Sequence, residues 1–99
     1  MDVTGQVSTF TDVSWPDHLS LDSQGRVLVA DYGNNRILLL TSQLQLQRVL
    51  IDTNSQVKLR GPERLYYNEH TSQLYVAHSS KEGSRWSDVV SLFILTEAE

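Results

Sequence analysis

Gly25-Arg-Val-Leu-Val-Ala-Asp-Tyr-Gly-Asn-Asn-Arg-Ile-Leu-Leu-Leu40 is the stretch whose reading decides the fold. Two short apolar runs, 27–30 and 37–40, flank a turn built from Asp31, Tyr32, Gly33, Asn34 and Asn35. Gly and Asn reach positive φ at low steric cost, so the pattern predicts a β-hairpin with a longer loop. Both runs are apolar at consecutive positions, which suits strands covered on both faces. Upstream, Trp15-Pro-Asp-His-Leu-Ser-Leu-Asp22 reads as a third strand in which Leu19 and Leu21 alternate with polar neighbours, and 22–25 supplies its connecting turn.

A second copy follows. Pro62 lies 46 positions after Pro16, and Ala77 lies 47 after Ala30. A period of about 40–50 residues is that of four-stranded propeller blades. Residues 47–52 supply a fourth strand between the copies, and 5–11 have the same character ahead of Trp15-Pro16. The expected strands are 6–11, 18–22, 26–31, 36–41, 47–52, 64–68, 73–78 and 89–95, with the joint between units at 53–61. The second copy differs at the turn. His78 stands where Asp31 stood, and a longer polar loop is expected over 79–88.

Pro16, Leu19, Asp22, Gly25, Val29, Ala30, Asp31, Asn34, Asn35, Arg36 and Ile37 together resemble the NHL repeat, one blade of a β-propeller. The resemblance implies an all-β fold, a partial β-propeller of antiparallel four-stranded blades. Residues 1–14 would be the outer strand of a preceding or closing blade, 15–56 one full blade, and 57–99 a diverged, incomplete second blade. Propellers close with about 4–8 blades. Two blades alone would leave apolar faces wet, so the expectation is a fragment of a longer protein or, as the other reading, a unit that closes a ring by oligomerising. Leu19, Val29, Leu38, Leu40, Val76, Leu92 and Ile94 are expected on the inter-blade faces, with Trp15 packing there too.

Net charge of −4 and a pI near 5.2 argue against a broad phosphate-binding face. Lys58, Arg60 and Arg64, joined by Lys81 and Arg85, are the nearest approach to a basic cluster, diluted by Glu63 and Glu82. Nucleic acid stays open as a partner but is disfavoured by charge; a protein partner is expected, with the remaining blades coming from a parent chain or from self-association. No run approaches the roughly 18 apolar residues of a membrane span, so no membrane role is expected. The absence of cysteine and of a signal-like start fits a cytoplasmic protein. No cofactor is expected.

Catalytic constellations are thin. His18, Ser20 and Asp22 share one face of a strand at steps of about 7 Å, too far apart for a nucleophile–base hydrogen bond. Asp17, His18 and His78 are weak metal candidates, since a metal site needs three or four convergent ligands, and no metal or catalytic site is assigned. His70 falls in a turn open to solvent. Asp31 and Arg36 can pair across the hairpin loop, so Pro16, Asp31 and Arg36 are read as motif-holding residues and His78 as the more dispensable counterpart of Asp31. Tyr32, Asn34, Asn35, Arg36, Arg85 and Trp86 are the binding-surface candidates, because loops at one end of a rigid scaffold carry recognition and aromatics anchor interfaces.

Three functions compete. The first is a non-catalytic interaction module resembling the C-terminal NHL domain of tripartite-motif ubiquitin ligases, where the propeller selects the client. The second is a fragment of a channel-metal propeller enzyme of the lyase or lactonase type. The third is an RNA-binding NHL domain, for which the loop at 81–86 has suitable residue types. Fold analogy underlies all three.

The wet inter-blade faces generate a prediction. Leaving apolar area exposed forgoes about 25 cal/mol per Å², against a net domain stability of only about 5–15 kcal/mol. The 99-residue chain is therefore expected to be molten, aggregated or assembled at micromolar concentration. Light scattering with a thermal melt checks this; a sharp, concentration-independent melt from a species of monomer mass contradicts it.

Overall fold

The computed structural model of the chain describes residue 5, residues 7–54 and residues 59–95. Two antiparallel sheets make up the fold. The first sets β1 (Pro16–Leu21), β2 (Val27–Asp31), β3 (Arg36–Leu40) and β4 (Leu46–Ile51) side by side in that order. The second does the same with β5 (Arg60–Asn68), β6 (Gln73–Glu82) and β7 (Arg85–Ile94). The fold is all-β, and the two sheets have the form of consecutive propeller blades. A 3₁₀ turn at Tyr32–Asn34 links β2 to β3. Among the described residues no helix is long and apolar enough to cross a membrane.

The doubly apolar strands of the first hairpin divide their side chains between two faces. Leu28 pairs with Leu39 and Ala30 with Ile37, whereas Val27 pairs with Leu40 and Val29 with Leu38. The first set, with Ile51, meets Leu59, Leu65, Leu74 and Val76 in one buried cluster that joins the two sheets. Leu50, Tyr67, Phe93 and Leu95 pack against its margin. Each such Leu, Ile or Val contributes roughly 1.5–3 kcal/mol when fully buried. The second set, Val27, Val29, Leu38 and Leu40, faces the other way and is covered by Phe10, Val13 and Leu44.

Polar contacts hold the two sheets in alignment. At one end the Ser23 backbone N–H and hydroxyl donate to the two Glu69 carboxylate oxygens, at 2.7 and 2.6 Å. Midway, the Leu65 N–H donates to His18 Nδ1 at 3.1 Å. At the other end the Gly61 N–H donates to Asn35 Oδ1 at 2.8 Å. The apolar interface supplies the driving force, and these directional contacts select one alignment of the sheets.

Several expectations need correction. Residues 7–11 form no strand, and residue 6 lies outside the described residues. A strand needs a partner edge, and this segment instead lays Phe10 and Val13 over the first sheet. The polar loop expected at 79–88 is a continuation of the β6–β7 ladder down to the pair Glu82–Arg85, closed on Gly83 and Ser84. No proline interrupts either arm, and a two-residue turn lets pairing run to the tip. β5 begins at Arg60 rather than at 64. Of the residues expected on inter-blade faces, Val29, Leu38, Leu40 and Val76 are buried, but Leu19, Leu92 and Ile94 are exposed. They lie on the two outward faces, where no second sheet covers them. Of the expected joint, residues 55–58 lie outside the described residues, and Leu59 and Gly61 are buried in the interface.

The β1–β2 turn carries a titratable lock. Asp22 Oδ1 accepts the N–H groups of Gln24 and Arg26, both at 2.9 Å, and Oδ2 meets Arg26 Nε at 2.6 Å. Burial pushes the Asp22 carboxyl up, but the bonds from Arg26 and Gln24 outweigh it and hold the group below its ordinary value of 3.8. Between the lowered folded value and the unfolded value, the unfolded chain binds more protons. The Asp22 contribution is therefore complete above pH about 4 and is lost as pH falls through the folded value. Urea titrations from neutral pH into acid should show Asp22→Asn less stable than the native chain at neutrality, with the gap closing in acid; a gap independent of pH contradicts this account.

Candidate functional site

The 3₁₀ turn of the first hairpin gathers the residues that the sequence singles out. Asp31 closes β2 with no exposed surface, so its carboxylate must find donors inside the fold. Oδ1 accepts the Ser14 N–H at 2.9 Å. Oδ2 accepts Asn34 Nδ2 at 3.0 Å and Arg36 Nε at 2.7 Å. Arg36 reaches on through Nη2 to the Asp12 carbonyl at 2.5 Å, with the Asp12 carboxylate 3.6 Å away. The Asp31 hydrogen bond raises the Arg36 pKa further; burial opposes the shift, and the charges of Asp31 and Asp12 add to it.

Two glycines are required by this geometry. Gly33 donates its N–H to the Ser14 carbonyl at 2.6 Å, and a Cβ there would run into Ser14. Gly61 adopts φ 53°, and the Tyr32 ring lies against the place where its Cβ would be, 3.0 Å away. Tyr32 also stacks with Trp15, ring centroids 6.4 Å apart and planes inclined by 25°. Trp15 is 77% exposed, so it is a displayed ring rather than the packing residue that its place beside Pro16 suggests.

The binding-surface candidates therefore separate into roles. Asn35, in the left-handed region, spends its side-chain carbonyl on Gly61 and ties the two sheets together. Arg36 and Asn34 are engaged with Asp31. Tyr32 is half-buried against Trp15 and Gly61. Arg85 and Trp86 are exposed at the tip of the β6–β7 ladder, Trp86 at 57%. That ladder continues for four residue pairs beyond His78–Val89, or about 13 Å at strand rise. Pro16 pairs with Asp31 where β1 begins, ahead of a bulge. Trp15 was missed as a displayed residue, and the sequence held a signal for it: it sits 46 positions before Gly61, whose turn geometry it repeats at φ 57°.

The metal candidates are not brought together. His18 Nδ1 accepts the Leu65 N–H, and Asp17 is exposed. His78 is buried, with Nδ1 2.8 Å from the Ser79 carbonyl and Nε2 2.8 Å from Ser91 Oγ. A carbonyl only accepts, so Nδ1 carries a proton, and in the neutral ring Nε2 accepts the Ser91 hydroxyl. Among the described residues no group of three or more His, Cys, Asp or Glu side chains is placed to hold a metal. A cleft of about 100 Å³ lined by Asp22, Arg26, Leu50, Tyr67 and Leu95 lies at the opposite end of the sheets. It is below the roughly 300–1,000 Å³ of typical ligand pockets.

Removing one partner of a buried ion pair strands the other, so Asp31→Ala should cost about 3 kcal/mol in urea titration. Asp31→Asn, which keeps an acceptor for Ser14, should cost less. His78 is not the dispensable counterpart expected from its divergence. Its burial and two hydrogen bonds put His78→Ala at about 2 kcal/mol, through a cavity and an orphaned Ser91 hydroxyl. Loss of stability well under 1 kcal/mol in both alanine variants contradicts the roles assigned to these networks.

No curated protein matches the chain. The family model described as the NHL repeat matches residues 14–38, the segment that carries Ser14, Asp31, Asn34 and Arg36, and with them the Asp31 network apart from Asp12.

Proposed function

We propose that the chain is a non-catalytic interaction module whose NHL-type blades recognise a protein partner through the loop end of the sheets. One observation carries this reading: an exposed Trp15 ring stacked on Tyr32, seated on a turn whose polar side chains are bonded to the fold. A rigid aromatic platform loses little entropy on binding and is the kind of group that anchors interfaces. Trp86 and Arg85 lie at the same end, since Gly61, where β5 begins, meets the Asn35 turn. The NHL match supports an interaction module; the finer form of the proposal, the client-recognition part of a tripartite-motif ubiquitin ligase, rests on the resemblance of the motif residues alone. A protein partner suits the net charge of −4 better than nucleic acid does.

Selection of peptides from a random display library on the immobilised chain, followed by titration against variants, tests the platform. Trp15→Ala should weaken the selected peptides at least tenfold, about 1.4 kcal/mol, with the melting temperature unchanged. Peptides indifferent to both Trp15→Ala and Trp86→Ala would contradict the reading. Tight binding of single-stranded RNA at about 150 mM salt, weakened by Arg85→Ala, would favour the RNA-binding alternative instead.

A further inference from the structure

The interface between the two sheets is made of unlike halves. The first sheet contributes Leu28, Ala30, Ile37 and Leu39, and the second contributes Leu65, Leu74 and Val76. The repeat offset of 46–47 positions shows what each half corresponds to on the other sheet. Leu65, Leu74 and Val76 answer to Leu19, Val27 and Val29 of the first sheet, which lie on its outer face. In ladder register, Ala30–Ile37 answers to Ala77–Val90 and Leu28–Leu39 to Tyr75–Leu92. Those four residues lie on the outer face of the second sheet. Each sheet thus has a giving face and a receiving face, and the chain joins the giving face of the first to the receiving face of the second.

One face of each kind is left outward. The giving face of the second sheet exposes Val90 at 71%, Leu92 at 48% and Ile94 at 61%, with Tyr66 and Tyr75 in ring contact beside them. The receiving face of the first sheet exposes Leu19 at 60% and Leu21 at 69% around the Val27–Val29 centre. The receiving face is also prepared in the same way as its occupied counterpart. Val13 stands 46 positions before Leu59; Val13 packs against the Val27–Val29 and Leu38–Leu40 centre of its face, as Leu59 packs in the cluster with Leu74 and Val76. Phe10 adds partial cover to the same face. The shared left-handed backbone of Trp15 and Gly61 extends the correspondence through the entry to β1 and β5.

We propose that the outer face of the second sheet docks onto the outer face of the first sheet in another copy of this chain. The contact repeats between copies the interface that joins the sheets within one copy. Among the described residues the outer edge of β7 pairs with no strand, so that edge is also open to the contact. The docking is head-to-tail, so it generates a ring or a filament rather than a two-fold dimer. It stands independently of the aromatic platform and its partner.

Sedimentation velocity of the full chain and of two surface variants, alone and mixed, tests this. Leu92→Glu places a charge on the giving face and Leu19→Glu one on the receiving face, both at exposed positions. The native chain should assemble beyond two copies as concentration rises to about 100 µM, the micromolar range of modest interfaces. Each variant alone should be monomeric, with association weakened at least a hundredfold and the β-sheet circular dichroism retained. An equimolar mixture should form a two-copy species and stop there, because one intact face of each kind remains. Should Leu92→Glu fail to fold, Val90→Glu, at a more exposed site on the same face, replaces it. A native chain that is monomeric throughout overturns the proposal. So do variants that associate like the native chain, or folded variants that do not pair when mixed.

Discussion

A carboxylate with no exposed surface has to be surrounded by donors, and the first blade is organised around meeting that demand at Asp31. Desolvating a charge costs several kcal/mol, and the cost is offset only by a partner of good geometry with the remaining lone pairs bonded. Arg36 supplies the countercharge from β3, Asn34 a donor from the 3₁₀ turn, and the Ser14 N–H a donor from the segment ahead of β1. Three separate stretches of chain are thereby fixed relative to one side chain. Tyr32 and Asn35 belong to the same turn, so fixing it also directs them at Gly61. The same turn thereby supplies one of the polar contacts that align the second sheet on the first.

The second repeat shows what happens when that demand is removed. His78 occupies the place of Asp31 and finds partners without recruiting a turn, one the carbonyl next along its own strand and the other Ser91 across the ladder. No countercharge and no 3₁₀ turn are needed. The hairpin is free to keep pairing, and it does so for four more residue pairs. A compact, polar, tightly bonded turn in one blade becomes a projecting arm in the next. The loop end of the pair is therefore asymmetric: a fixed aromatic stack on one blade, and an extended hairpin tipped by Arg85 and Trp86 on the other.

Energetically the blades are not separate units. The main buried cluster lies between the sheets, drawing Leu28, Ile37 and Leu39 from one and Leu65, Leu74 and Val76 from the other. A single four-stranded sheet has little apolar mass of its own to hide, and it becomes stable by lending one face to its neighbour. The cover given by Phe10 and Val13 to the opposite face of the first sheet is a partial substitute for such a neighbour. It reaches the centre of the face and leaves Leu19 and Leu21 at the edge in water.

Strand order, the two-fold repeat and the identity of the hairpin turn were legible because they are local. Alternation, consecutive apolar runs and the Gly-Asn-Asn-Arg turn are short-range signals, and a proline recurring after 46 positions marks the period without any structure. The pairing of Asp31 with Arg36 was legible for the same reason, five residues apart across one turn. Ser14, Asp12 and Gly61 were not seen as parts of the network, since they contribute backbone groups or lie a sheet away, and any residue type could have done the former. Strand status for 7–11 was misjudged because this segment lies over a sheet face, with Phe10 on the Val27–Val29 centre, instead of pairing along an edge, and composition does not report which of the two a segment does. Likewise His18 and His78 carry the chemistry of ligands in sequence, and only the fold shows His18 Nδ1 committed to Leu65 and both His78 ring nitrogens committed to Ser79 and Ser91. Sequence by itself determined the all-β blade architecture, because strands and turns are chosen by neighbours along the chain. Tertiary structure alone decided which apolar face is covered and which polar side chains remain for a partner, because both depend on what comes to lie on top of them.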